Sequence, residues 1–275
     1  MKRFLFLVLA LAGCGDNLTI PPDRDPATDP DPLPLGCVPN LDGRIDASEL
    51  QPAIGTQISY VVSPPGVSRS IDVVGTTTDG EPAWDFATDY ADDQSLVVVP
   101  ANLSGKWYAA SFPEGAFVTP FNREGTLESI GMAREDAIVL LGLASKEADP
   151  AEGRTLLVYT TPIVVLSLPV EAGQTYTSVG EIVNGTVQGL PYAGRDTYEV
   201  SVDAVGEIDL PQLTFEEVHR VRTKVTVEPA VGTSVVRRQV SFYAECFAEV
   251  ARATSADDET EENFTQAAEL RRLGQ

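Results

Sequence analysis

The chain has 275 residues, of which 41 are acidic and 19 are basic, and its formal net charge is −22. A chain this acidic is not expected to bind nucleic acid, because lysine and arginine must neutralise the phosphates. Anionic lipid headgroups should also repel it, so a basic patch is not expected to hold it at a membrane. Its length suffices for one large all-β domain or two smaller domains.

The first residues have the pattern of a bacterial secretion signal. Lys2 and Arg3 precede an unbroken apolar run over 4–12, which is too short to span a bilayer but suits a signal peptide. The sequence Leu11-Ala12-Gly13-Cys14 resembles the lipobox of bacterial lipoproteins. This resemblance implies a signal peptide over 1–13, cleavage before Cys14, and acylation of that cysteine with chains such as palmitate. The protein would then be anchored in the cell envelope by lipid.

Residues 14–36 are predicted to be the lipidated cysteine and a tether. Six prolines are interleaved with four aspartates between Pro21 and Pro34, so this segment has almost nothing to bury. In an extended polyproline conformation it would hold the domain up to roughly 70 Å from the bilayer. The lipoprotein resemblance also favours the outer membrane, because Gly15 and not aspartate follows the cysteine.

Short β-patterned runs alternate with turn sequences through most of the remaining chain. In chain order these runs are Gln57–Val62, Leu96–Val99, Lys106–Ser111, Ala137–Leu143, Thr155–Tyr159, Ile163–Leu168, Thr175–Ile182, Thr197–Ala204, Val218–Val227 and Val235–Val250. Regular strand–turn spacing without helical periodicity predicts an all-β domain over 37–254. We expect an antiparallel sandwich or an open or half-closed barrel of about ten strands.

The last two runs alternate most clearly, which predicts one buried face and one exposed face. The exposed face is expected to carry a basic stripe made of Arg220, Arg222, Lys224 and, on the next strand, Arg237. This stripe suits an anionic ligand or an acidic partner. The alternative is that cross-strand pairing with Glu245 and neighbouring acids neutralises it.

The C-terminal residues 255–275 lack the β-patterned alternation of the preceding runs. An acidic stretch precedes the amphipathic segment Phe264–Leu273, and acidic residues at a helix N-terminus complement the helix dipole. The sequence therefore predicts a short C-terminal helix.

Residues Asn40–Glu49 resemble the second part of an EF-hand or dockerin-type calcium loop. The resemblance implies a weak calcium site whose ligands would be Asn40, Asp42, Arg44 through its carbonyl, Asp46 and Glu49. The first ligand position departs from the pattern, because Val38 stands where the loop needs aspartate. The alternative is an Asp-Gly turn that leads into a short helix at Ala47–Leu50. No other cofactor is expected.

Cys37 and Cys246 are the two cysteines that remain after Cys14. In an oxidising envelope two such cysteines often pair, which would tie the start of the domain to its last long strand. The alternative is a buried free thiol at Cys246, because it lies on an apolar strand face.

Catalytic patterns are weak in this sequence, so we do not expect an enzyme. Paired carboxylates beside aromatic residues are typical of glycosidases, and the relevant acidic cluster contains Asp85, Asp89, Asp92 and Asp93. His219 is the only histidine, lies on an alternating strand, and has no Gly-x-Ser-x-Gly motif to accompany it. We expect His219 to be structural.

Residues 206–223 carry a further resemblance. A glycine-led strand ends in Leu210-Pro211, and Thr214-Phe215 leads into Arg220-Val221-Arg222. This segment is similar to one that recurs in secreted β-rich proteins of Gram-negative bacteria. With the lipobox, it makes the chain resemble a family of bacterial envelope lipoproteins, and it implies compartment and β class without an activity.

We therefore expect a non-enzymatic binding or structural module whose membrane contact is its N-terminal lipid. The sequence does not identify its protein or small-molecule partner. One alternative is a carrier whose half-open barrel shields an apolar ligand such as a lipid. Another is a glycoside or other hydrolase that uses the acidic cluster over 85–93.

Overall fold

The computed structural model describes residues 36–78 and 80–274 of the chain. The predicted signal peptide 1–13, the proposed lipidation site Cys14, and the tether as far as residue 35 lie outside the described residues. Within the described part, no helix is both long and apolar enough to cross a membrane.

The described residues contain seventeen strands and two short 3-10 helices. The strands are β1 (Ile58–Val62), β2 (Arg69–Ser70), β3 (Thr76–Thr78), β4 (Glu81–Asp85), β5 (Gln94–Val98), β6 (Ala101–Asn102), β7 (Phe117–Pro120), β8 (Leu127–Ala133), β9 (Ala137–Ser145), β10 (Leu156–Ser167), β11 (Thr175–Val187), β12 (Leu190–Asp209), β13 (Thr214–Pro229), β14 (Val235–Ala244), β15 (Ala248–Thr254), β16 (Gln266–Ala267) and β17 (Glu269–Leu273). The 3-10 helices are Ala47–Glu49 and Ala109–Ser111.

Fifteen strands form one hydrogen-bonded sheet, and β2 pairs separately with β16. The order along the sheet is β5-β1-β17-β15-β14-β13-β12-β11-β10-β9-β8-β7-β6. β3 and β4 branch from the end of β12, where β4 pairs in parallel, and the ladders along the main path are antiparallel. The predicted all-β class and antiparallel arrangement are confirmed, and the sheet is not closed into a barrel.

The two edges of the large sheet lie near each other because consecutive strands form them. β5 ends at Val98 and β6 begins at Ala101, so only two residues connect one edge to the other. Three peptide steps span at most about 11 Å. The Gly55 N–H holds this connection by donating to the Pro100 carbonyl at 2.8 Å. The end of β5 and the start of β6 therefore lie close together, although these two edge strands do not pair with each other.

Apolar clusters cover both faces of the central strands. On one face, Phe242 packs against Trp84 and Phe86, with ring centroids 4.9 and 5.3 Å apart. On the other face, Val221 belongs to a second buried cluster with Ile45. Residues 218–223 of β13 are all buried as a result. The prediction of one wet face along this hairpin is therefore wrong for the middle of β13.

The predicted membership of the basic stripe is also wrong at one position. Arg237 pairs with Val225, whereas Arg238 lies opposite Lys224. Directly opposed residues share a face of the sheet, and a shift of one residue reverses the face. Arg238 and not Arg237 therefore belongs with the basic residues of β13.

The predicted C-terminal helix is wrong, because this segment forms β16 and β17. β17 lies between β1 and β15 and forms a ladder with each. Leu270 and Arg272 are almost completely buried there. A helix of ten residues is marginal in water, whereas a strand inserted between two others gains hydrogen bonds on both sides. Residues beyond 254 thus contribute to the same sheet.

Two predicted strands also differ from the structure. The run Val235–Val250 forms two strands, β14 and β15, because the chain reverses at residues 245–247, where Cys246 has a positive φ of 65°. Residues Lys106–Ser111 end in a 3-10 helix instead of forming a strand.

Arg272 of β17 connects the sheet to the loop that precedes β5. Its side chain is 1% exposed, pairs with Asp93, and donates to backbone carbonyls that include that of Phe86 at 2.8 Å. Arg69 of β2 binds the same carboxylate at 2.9 Å. Both guanidinium groups lie over the Tyr90 ring, 4.1 Å from its centroid for Arg69 and 5.3 Å for Arg272. This cluster holds the loop against the core.

Replacement of Arg272 by methionine should lower the free energy of unfolding by about 3 kcal/mol or more. Asp93 would stay buried with one cation fewer, and the carbonyls would lose their donor. Urea denaturation of Arg272→Met and wild type measures the difference. Arg237→Met is the control, because its ion pair with Asp257 is half exposed and should contribute about 1 kcal/mol or less. Equal losses in the two variants would contradict this assignment.

Candidate functional site

A polar groove crosses one face of strands β11–β14. Its volume is about 460 Å³, which lies within the range of about 300–1,000 Å³ typical of small-molecule sites. Strand residues form its floor, and Glu262 and Phe264, which precede β16, border it.

The register of the four strands places two rows of side chains on the groove floor. These rows are Thr175–Ser201–Arg222–Val240 and Thr177–Glu199–Lys224–Arg238. Residues two positions apart on a strand share a face, so the rows lie side by side. The floor thereby carries hydroxyl groups at its β11 side and cationic groups at its β13 and β14 side, with Glu199 between them in the second row.

The cations of the groove differ in how they are neutralised. Lys224 Nζ lies 2.6 Å from Glu199 Oε2, and both side chains are partly exposed. Arg238 donates instead to two backbone carbonyls, those of Glu259 at 3.2 Å and Thr260 at 3.0 Å. Among the described residues, no carboxylate lies within ion-pair distance of Arg238. Its charge is therefore the least compensated one in the groove.

Arg222 forms an ion pair with Asp203, and Arg220 binds the same carboxylate. Asp203 accepts from Arg220 Nε at 2.8 Å and from Arg222 Nε at 2.7 Å. Burial alone would raise the pKa of Asp203, but the hydrogen bonds from the two arginines outweigh it and keep that pKa below its ordinary value. Arg222 also donates through Nη1 to the Glu262 carbonyl at 3.2 Å.

The predicted pairing of the basic stripe with Glu245 is wrong. The Glu245 carboxylate accepts from the backbone N–H groups of Asn40 and Leu41 at 2.6 and 3.0 Å. Glu245 lies in the turn after β14, whereas the stripe pairs with Asp203 and Glu199 of β12. The acids of the next strand neutralise the stripe because antiparallel pairing places them directly beside it.

The predicted calcium residues lie close together but bind their own backbone. Asn40 Oδ1 and Asp42 Oδ1 each accept from an N–H two residues later, and Asp46 binds Arg44 at 3.0 Å. Glu49 accepts from the Asp46 N–H at 2.8 Å in a capping box for the 3-10 helix. Within residues 36–78 and 80–274, no three His, Cys, Asp or Glu side chains are placed to share a metal ion.

This arrangement does not fit a calcium shell as it stands, because the oxygens face backbone donors and not a common centre. Calcium binding at this loop stays a prediction. The turn and short helix at Ala47–Glu49 match the alternative structure for the same residues.

The structure brings Cys37 and Cys246 together as a disulfide, with their Cα atoms 5.6 Å apart. The bond joins the first residues of the domain to the turn between β14 and β15. The Cys246 N–H also donates to the Glu49 carbonyl at 3.1 Å, so the calcium-like loop is held against the same turn.

The acidic cluster over 85–93 serves the fold. Asp92 and Asp93 both bind Arg69, at 2.6 and 2.9 Å, and this hydrogen bond lowers the pKa of Asp92. Asp85 accepts from the Ala87 N–H at 3.0 Å. Asp85 and Arg272 line a smaller cleft of about 260 Å³. Asp85, Asp92 and Asp93 are thus engaged with arginines and backbone donors, whereas Asp89, the fourth carboxylate of the hydrolase hypothesis, is exposed.

His219 is buried on the face of β13 opposite the groove. Its Nε2 donates to the Gly43 carbonyl at 3.1 Å, and Nδ1 has no partner among the described residues. Burial lowers the pKa of His219, although the hydrogen bond to Gly43 opposes this shift. It pairs with Tyr243 across the sheet and holds the calcium-like loop in place.

Sequence reasoning missed Asp203, Arg238 and Thr177 as residues of the groove. Asp203 has no local signal, because its role depends on the pairing of β12 with β13. Arg238 was distinguishable from Arg237 only through the register of the hairpin. The alternation in β12 was the one available signal, since Glu199, Ser201 and Asp203 share a face in any strand.

Comparison of the chain with family models, with curated proteins and with solved structures found no match.

A buried carboxylate lies apart from the groove, on the opposite face of β12. Tyr159 Oη donates to Asp196 Oδ2 at 2.5 Å, and Oδ1 has no partner among the described residues. Burial raises the pKa of Asp196, while the hydrogen bond from Tyr159 opposes the shift. The folded protein therefore holds a proton at Asp196 more tightly than the unfolded chain does.

Stability should consequently fall as pH rises from the ordinary carboxyl range, about pH 4, through the folded-state pKa of Asp196. Asp196→Asn removes this loss, so the variant should gain stability relative to wild type between pH 4 and pH 8. Urea unfolding across this range measures the gain. Asp149→Asn is the control, because its side chain is 88% exposed and its curve should parallel wild type. If the difference in the free energy of unfolding between Asp196→Asn and wild type stayed constant across this pH range, the raised pKa of Asp196 would be contradicted.

The disulfide should stabilise the fold strongly, because 209 residues separate its cysteines. The chain-entropy model gives about 5 kcal/mol for a loop of this length. Thermal unfolding with and without reductant should therefore show a large fall in Tm for wild type. The double variant Cys37→Ala, Cys246→Ala should start at the lower Tm and show no response to reductant. A wild-type Tm that reductant leaves unchanged would refute this contribution.

Proposed function

We propose that this chain is a lipid-anchored protein of the bacterial cell envelope whose β domain is a non-enzymatic binding module. The groove supports the binding role, because it keeps polar side chains of β11–β14 open to solvent on a sheet whose centre is otherwise covered. The lipobox at 11–14 and the proline-rich tether support the envelope location, with the outer membrane favoured.

The engagement of the catalytic candidates supports a non-enzymatic role. His219 is bound to a backbone carbonyl on the far side of the sheet from the groove. Asp92 and Asp93 are both bound by Arg69, and its hydrogen bond lowers the pKa of Asp92. General acid–base catalysis needs a group that exchanges its proton near the operating pH within reach of a substrate. These side chains are instead used to connect loops to the sheet.

The composition of the groove favours a polar ligand over the apolar ligand of the carrier hypothesis. Its floor carries Thr177, Glu199 and Lys224, which would lose hydration against a lipid chain without gaining hydrogen bonds. The hydroxyl and charged groups are suited to a ligand that carries its own donors and acceptors.

Lipid attachment at Cys14 can be tested in a bacterium that has the lipoprotein-processing enzymes. The full-length chain should incorporate an alkyne-tagged palmitate, and its mature N-terminus should be an acylated Cys14 by mass spectrometry. Cys14→Ser should lose the label, because the acylated sulfur is gone.

Thr19→Ala is the matched control within the tether, and it should keep both the label and the acylated N-terminus. A mature N-terminus at another residue, without acyl mass, would show that the leader is an ordinary signal peptide and would refute the anchor.

A further inference from the structure

We propose that the groove over β11–β14 binds a short acidic saccharide, that is, a hydroxyl-rich ligand with a carboxylate that Arg238 receives. This inference deepens the proposed binding role and rests on it. It concerns the ligand class only, and the lipid anchor is independent of it.

The argument for one carboxylate comes from the charges of the groove. Lys224 is neutralised by Glu199 and Arg222 by Asp203, at 2.6 and 2.7 Å. Arg238 has only carbonyl partners, through Nε and Nη2, so Nη1 has no partner among the described residues. A guanidinium group with a free edge suits a carboxylate, because its planar N–H groups match the two oxygens.

The argument for a saccharide comes from the groups around Arg238. Thr175 and Thr177 are exposed hydroxyls in the two floor rows, and Ser201 is a partly buried one. None of these three hydroxyls makes a hydrogen bond within the described part of the chain. Each can both donate and accept, and the Lys224–Glu199 pair adds one donor and one acceptor beside them. A sugar ring with several hydroxyl groups can pair with these donors and acceptors.

The surroundings of the groove limit the length of an anionic ligand. The segment 257–262 contains five acidic residues and passes beside Arg238, and Glu262 borders the groove itself. At physiological ionic strength charges act over a screening length of about 8 Å, so a long polyanion would be repelled at this rim. A short saccharide with its carboxylate at Arg238 avoids most of that repulsion.

The test is a calorimetric titration of the full-length protein in detergent with cellobiouronate, a disaccharide that carries one carboxylate. Cellobiose keeps the ring hydroxyls and lacks the charge, and cyclohexanecarboxylate has the charge without the hydroxyls. Saturable binding of cellobiouronate is expected, with both comparison compounds weaker by about tenfold or more.

Variants locate the site. Arg238→Gln should weaken cellobiouronate binding about tenfold, because it removes a charge-assisted hydrogen bond. Thr177→Val keeps the β-branched shape, removes the hydroxyl and should also weaken binding. If Arg238→Gln does not fold, Thr177→Val still tests the site. Arg195→Gln is the matched control, since this exposed arginine of β12 pairs with Glu181 outside the groove and should bind as wild type does.

Three results would overturn the proposal: equal binding of cellobiose, equal or tighter binding of cyclohexanecarboxylate, or no saturable binding of cellobiouronate. The proposal would also be overturned if Arg195→Gln weakened binding as much as Arg238→Gln does. The intact mass of the same sample reports the lipid on Cys14, so failure of the ligand assignment is distinguishable from failure of the proposed anchor.

Discussion

A single carboxylate on β12 holds the arginines of β13, and through them it fixes the segments that cover the sheet. Asp203 binds Arg220 through Nε at 2.8 Å and Nη2 at 3.0 Å. Arg220 then donates to the carbonyls of Val73 and Val74, at 2.8 and 3.0 Å. Trp84 Nε1 donates to the same Val74 carbonyl at 3.1 Å. Because Trp84 fills the core beneath, the placement of β4 depends on this ion pair.

The same carboxylate determines the floor of the groove. Arg222 lies two residues from Arg220 on the same face, and its Nε lies 2.7 Å from Asp203. Removing two guanidinium groups from water costs several kcal/mol for each ion, and a shared carboxylate with short hydrogen bonds offsets part of that cost. A β-strand with alternating arginines can therefore lie inside a fold when the neighbouring strand supplies the acid.

The sequence predicts the class of this fold well and its register poorly, for a physical reason. Alternation of apolar and polar residues is a local property, so β11, β12 and β13 were all anticipated. Register depends on the turn between strands, and a shift of one residue exchanges the faces. Arg237 and Arg238 exchange roles in this way. Arg222 and Lys224 were recognised in the sequence as basic residues of one face, but Asp203, the partner of Arg222, lies on the preceding strand, and only the pairing of β12 with β13 brings the two together.

In the C-terminal segment the local pattern predicts the wrong type of secondary structure. Its amphipathic pattern suits a helix, but the pattern does not report the vacant position between β1 and β15. Two ladders and the burial of Leu270 and Arg272 then favour a strand. Long-range pairing outweighs local propensity wherever an unpaired position exists in a sheet.

Net charge and local charge have different consequences in this protein. The chain carries −22 overall, which keeps polyanions away, yet the least neutralised cation of the groove is the arginine next to the acidic segment 257–262. The segment's backbone carbonyls and not its carboxylates bind Arg238, so the guanidinium has no carboxylate partner among the described residues. An acidic rim around one cation selects against long anions by repulsion while it leaves a short one its hydrogen bonds. Selectivity of this kind needs no basic surface, and an acidic chain can therefore present an anion subsite.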